Sequence, residues 1–251
     1  MKCRVLLAIV LGGLMCASLP AAPLLSGSFN IAGNITVSNA GFNGCSTAIG
    51  TLCITWTDPP ATAANKADIA GSGLTGVFAT IPGFSGNDMA NITNLTSPPE
   101  IVDGSGFAPQ PFMSFNAPGV TTTLLINFIA GGIYTPAQCA LAPAVGQQCT
   151  LPNSLFNFVN NPPPAPAGPQ ATATWVLTGV TNDGLSTWSG NFTAQFNVPF
   201  QTVFAQLQST GSVTNTYSAT ITAVPVVPEA GTLSLLGLGL VGLSVKLRRR
   251  S

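Results

Sequence analysis

No histidine occurs anywhere in the sequence. Its absence removes the commonest general base, the Ser-His-Asp and Cys-His nucleophile systems and most zinc sites. Charge is nearly as scarce: seven basic and seven acidic residues in 251, or 6%, against about a quarter in an ordinary globular domain. There is no CxxC pair, no GxSxG and no P-loop, so the linear signatures of thiol redox, hydrolase and P-loop nucleotide sites are missing as well.

The few charges are unevenly placed. Lys2 and Arg4 sit at the start, and Lys246, Arg248, Arg249 and Arg250 at the end, leaving Lys66 as the one cation of residues 23–227. That stretch carries Asp58, Asp68, Asp88, Glu100, Asp103 and Asp183. One cation against six acids makes it about −5, with its polarity coming from Ser, Thr and Asn. A neutral-polar, mildly acidic surface argues against nucleic acid and anionic membrane surfaces as partners.

Both ends read as addresses. Lys2 and Arg4 precede an apolar run over residues 5–15, and small residues follow at 16–18 and 21–22. This is the layout of a secretory signal over residues 1–22, too short to span a bilayer, with cleavage expected within 17–23. A lipoprotein signal on Cys16 would want a small residue where Met15 stands. At the other end, residues 230–245 are uncharged and run into the basic cluster. At 1.5 Å per residue these give roughly 24 Å of helix, short of a 30 Å hydrocarbon core unless the terminal cations snorkel. A transmembrane helix is expected at about 231–247, its arginines held on the cytoplasmic side.

Between the ends the hydrophobic period is two. Phe29, Ile31, Ile35 and Val37 alternate with polar residues, as do Leu52, Ile54 and Trp56, and Val77, Ala79 and Ile81. Residues 120–130 place Val120, Leu124, Ile126 and Phe128 on one face and Leu125 and Ile129 on the other, as in a strand buried on both sides. Ala171, Ala173, Trp175 and Leu177 precede the turn signal Asn182-Asp183-Gly184, and Trp188, Phe192, Ala194, Phe196 and Val198 follow it. Val213, Tyr217, Ala219 and Ile221 complete an antiparallel meander, with a short helix allowed at 201–209. Residues 58–60, 83–88, 97–99 and 103–111 read as loops, and the proline-rich 160–169 as extended chain. The expectation is eight to ten strands in an all-β, antiparallel sandwich of jelly-roll type over 23–227.

Outside the two terminal segments the cysteines are Cys45, Cys53, Cys139 and Cys149. Their spacing favours two local bridges, Cys45–Cys53 and Cys139–Cys149, over free thiols in an exported chain. Other chemistry is sparse. Glu100 and Asp103 are close in sequence, but their loop setting favours solvated acids over a glycosidase pair. Asp103 with Gly104 and Ser105, or Asn87 with Asp88, offers calcium oxygens, although turn residues bonding their own backbone is the simpler account. Trp56, Trp175 and Trp188 lie on apolar faces and are expected in the core rather than stacked on sugars. No catalytic, cofactor or metal residue is assigned.

The tail carries the most specific signal. Val227-Pro228-Glu229-Ala230-Gly231-Thr232-Leu233, then the apolar stretch, then Lys246, Arg248, Arg249 and Arg250, resembles the PEP-CTERM sorting signal: a Pro-Glu-Pro-like motif, a short transmembrane helix and a basic end. Ala230 stands where the family has its second proline. The resemblance implies processing by exosortase, a membrane transpeptidase-like cysteine protease of Gram-negative bacteria that make exopolysaccharide. It also implies transient inner-membrane anchoring, followed by release to the cell surface or extracellular matrix. The leading expectation is a non-enzymatic structural or adhesive surface protein, with extracellular polysaccharide as a candidate partner. A carbohydrate- or calcium-binding module is the alternative.

Overall fold

The computed structural model describes residues 25–42, 45, 52–58, 64–96, 104–162 and 170–226. Among the described residues there are eleven strands, the four longest alternating inward apolar with outward polar side chains, and every pairing is antiparallel. β1 (Gly27–Ser38) pairs along its whole length with the last strand, β11 (Ser212–Pro225). β11 pairs with β10 (Ser186–Phe196), and β10 with β9 (Ala171–Thr181), so the expected meander is present. From β9 the path runs through β6 (Leu124–Ile129), β5 (Gly106–Phe115), β4 (Gly86–Ile92) and β3 (Lys66–Ile69) back to β1.

This circuit corrects the sandwich. Eight strands form one barrel-like closed sheet. Alternation fixes which face of a strand is buried, but not which strands lie beside it. Here β1–β11 and β6–β9 pair the strands that a sandwich would leave at its edges.

The barrel forks at one end. β1 gives Ile31 and Ala32 to β3, and Asn34–Ser38 to β2 (Cys53–Thr57). β9 likewise gives Leu177–Thr181 to β6, and Ala171–Thr174 to β8 (Asn157–Asn160), which carries the two-residue β7 (Gln148–Cys149). The fork is closed by α1 (Phe200–Thr210), whose Phe200, Val203, Phe204 and Leu207 form a buried i, i+3, i+4, i+7 stripe. Gly211, at φ 77°, ends the helix and donates its N–H to Leu207 O. Both disulfides, Cys45–Cys53 and Cys139–Cys149, lie by this forked end. Each closes a small loop, worth about 2–3 kcal/mol on the chain-entropy model.

The interior is aromatic. Trp56 packs 5.0 Å from Tyr217 and 5.6 Å from Phe192, which stacks on Trp175 at 5.3 Å, while Phe112 stacks on Trp188 at 5.3 Å. Two glycines make room for these rings. Gly33 faces Tyr217 across β1–β11, and Gly179 faces Trp188 across β9–β10. A methyl at Gly179 would lie 1.8 Å from Leu125 O and 2.7 Å from the Trp188 indole nitrogen.

Local readings needed correction where turns or bulges reset the phase. Val77, Ala79 and Ile81 do not form a strand: Gly76–Thr80 is a 3-10 turn, which buries Phe78 against Phe29 instead. In β6 the register slips between Ile126 and Phe128, so Ile129 turns inward and Phe128 does not. The stretch read as a loop at 103–111 contains most of β5. Its ladder breaks between Gly106 and Gln110 and between Pro111 and Met113, which accommodates Pro109 and Pro111.

Candidate functional site

The three tryptophans are interior residues, at 0%, 1% and 2% exposure for Trp56, Trp175 and Trp188, so none of them offers a face to a sugar ring. Glu100 and Asp103 lie outside the described residues. Asp88, one of the loop acids weighed for calcium, sits at φ 56° and receives no carboxylate cluster; its N–H donates to Asp68 Oδ1 at 2.9 Å. Its carbonyl accepts from Asn116 Nδ2, whose Oδ1 accepts from Asn91 Nδ2 at 2.8 Å, and Lys66 Nζ donates to Asn91 Oδ1. These groups bind one another across the β3–β4–β5 surface. Among the described residues no three His, Cys, Asp or Glu side chains come together as metal ligands.

Between α1 and the sheet lies a space lined by apolar side chains including Phe156, Phe158, Trp175, Phe204 and Leu207. It holds about 30 Å³, far below the several hundred that a small-molecule ligand occupies. The feature is a packing gap.

The outer surface of β9, β10, β11 and β1 is more distinctive. The register aligns Thr174, Thr193 and Ser218 in one row, and Asn191, Thr220 and Asn30 in another. Neighbouring side chains bond across strands: Thr220 Oγ1 donates to Asn30 Oδ1 at 2.8 Å, and the Thr36 and Thr214 hydroxyls lie 2.7 Å apart. No outward position of these four strands bears a charge. Rows of this kind repeat at the strand spacing of about 4.8 Å. In the linear sequence these residues are only general polarity, because rows exist only once four strands are in register. The outward phase of the alternation was the available signal.

Among the described residues two titrating groups are perturbed. Burial, with a smaller contribution from the charge of Asp68, pushes the Tyr217 phenol far above its ordinary range. Its hydroxyl is buried without a hydrogen-bond partner, as are the indole nitrogens of Trp56 and Trp175. Asp183 is pulled below the usual carboxylate range, chiefly by the Thr181 hydroxyl and then by the Leu185 N–H, which donates to its Oδ1 at 2.9 Å. The bonded carboxylate fixes the β9–β10 turn.

That turn lies where the chain leaves the barrel. Gly27 pairs with Ala223, so the start of β1 and the end of β11 lie side by side opposite the forked end. Ser186 faces Pro225, and Val226 donates its N–H to Leu185 O at 2.8 Å. Pro228, Glu229 and Ala230 follow in sequence but lie outside the described residues, as do the signal segment 1–22, the expected helix at 231–247 and the basic residues Lys246, Arg248, Arg249 and Arg250. Among the described residues no helix is long and apolar enough to cross a membrane.

Comparison with curated proteins and with solved structures gives no match. The C-terminal segment does match a family model: residues 226–250 match the PEP-CTERM protein-sorting motif, which begins at Val226, the last of the described residues, so the chain carries a PEP-CTERM sorting signal.

Proposed function

We propose that this chain is a non-catalytic structural protein of the cell surface or exopolysaccharide matrix. In this reading the barrel is the delivered part and the tail is its sorting device. The observation that carries it is the position of the sorting motif, which starts directly where the last strand ends. In the sequence the apolar segment is short for a stable anchor, it ends in a basic cluster that favours the cytoplasmic side, and Pro225 and Pro228 disfavour helix before Glu229. Cleavage near Glu229 then releases the barrel outward. Intact-mass measurement of surface protein tests this: about twenty C-terminal residues should be lost in a host with exosortase and retained in one without it. Replacing Glu229 with alanine should block the loss. A tail that persists in both hosts, or processing indifferent to Glu229, leaves only a permanent anchor.

A second reading concerns what the barrel touches. The uncharged hydroxyl and amide rows on β9, β10, β11 and β1 favour contact with neutral polysaccharide, whose own groups pair with such donors and acceptors without desolvating a charge. Co-sedimentation with host exopolysaccharide should be insensitive to salt up to about 0.5 M, since no ion pairs are screened. Thr220→Lys with Thr193→Glu should reduce it at least several-fold while leaving the fold intact. Equal binding by that variant removes this face from consideration.

A further inference from the structure

We infer that the last rung of the barrel controls access to the sorting motif; this rests on the sorting reading above. Val226 is tied to Leu185 O, and Pro225 lies opposite Ser186. Only Val227 separates this bonded residue from Pro228. Two residues of extended chain span at most about 7 Å. A protease that binds its substrate as an extended segment needs several residues on each side of the scissile bond, their backbone groups free to pair with the enzyme. On the upstream side those residues are Pro228 and Val227 and then Val226 and Pro225, and the last two are held to the closed sheet. The turn receiving Val226 is itself fixed, because Asp183 bonds both Thr181 and the Leu185 N–H. An enzyme that reaches upstream of Val227 therefore engages the chain fully only when the end of β11 lifts from β10.

Strand ends open at low cost compared with the whole sheet, so the rung slows processing without preventing it. One net backbone hydrogen bond sets the scale, about two- to tenfold in rate. The predicted order is spacer variant fastest, native chain intermediate and stapled chain slowest.

Pulse-chase processing of the full chain in an exosortase-bearing host tests this. One variant carries six Gly/Ser residues inserted between Val227 and Pro228. Another carries Leu185→Cys with Val226→Cys, residues that face one another in the antiparallel register continued from Ser186 and Pro225; its bridge is verified by peptide mapping, and the matching double serine variant serves as its comparison. The insertion should speed tail loss by about two- to tenfold, and the staple should slow it by at least as much relative to the serine pair. Because the insertion lies beyond the last rung, it leaves the barrel sequence unchanged. If Glu229→Ala blocks processing while insertion and staple both match the native rate, the rung has no control and the inference is overturned, with sorting intact. If Glu229→Ala is processed normally, the sorting reading fails and takes the inference with it.

Discussion

Gly179→Ala should cost the barrel about 3 kcal/mol or more, from overpacking combined with the loss of a buried hydrogen bond. The added methyl meets Leu125 O at 1.8 Å, a backbone carbonyl that cannot rotate away, and the Trp188 indole nitrogen that donates to this same carbonyl at 2.9 Å. Relief requires β6 to move off β9, which opens the seam closing the sheet. Gly184→Ala is the matched comparison. Its φ of 70° strains an alanine, yet no atom lies within 4 Å of the added carbon, so about 1 kcal/mol is expected. Urea unfolding of the oxidised ectodomain measures both. Equal costs for the two variants would show that Gly179 is not where the seam is tightest.

The second large effect is alkaline. The Tyr217 phenol is held protonated by burial in the folded barrel, whereas in the unfolded chain it ionises near 10. The raised folded value means that its contribution is complete below the unfolded pKa and is lost as pH rises above it. The loss is about 1.4 kcal/mol per pH unit, or roughly 2–3 kcal/mol by pH 12. Tyr217→Phe should remove that dependence. It should also raise stability at neutral pH by about 1 kcal/mol, because the hydroxyl it deletes is buried and unpartnered. Unfolding midpoints at pH 7 and 11 for both proteins decide the matter. A Phe variant that unfolds at the same alkaline pH as the native chain would falsify the assignment.

Sequence alternation located the long strands because burial on one face imprints a period of two whatever the partner. Phe29, Ile31 and Ile35 in β1, and Ala171, Ala173, Trp175 and Leu177 in β9, are inward. The reading failed where local conformation broke the period, at the 3-10 turn around Phe78 and at the slipped register after Ile126. It also failed at β5, where prolines that ordinarily mark a loop occupy breaks in a strand. Closure itself was illegible, since β1–β11 and β6–β9 join segments far apart in the chain and leave no linear trace. The sorting tail was the reverse case. It is recognised as a linear segment by another protein, so its order of residues is its signal and no fold was needed to find it. The hydroxyl rows fall between: each residue was visible, but their alignment was not.

The pairing of β1 with β11 also sets a clock on assembly. An exported chain crosses a membrane from its N-terminus, so β1 emerges among the first residues, and its fourteen-residue partner β11 arrives nearly last. Until then one edge of β1 has only the short β2 and β3 beside it, and the other edge is open. An open strand edge is a template for pairing with a neighbouring chain, and contacts this distant in sequence form slowly. The crowded interval during secretion, rather than the finished barrel, is therefore when this protein is most exposed to misassembly. Its yield should depend on how quickly the final strand follows the first.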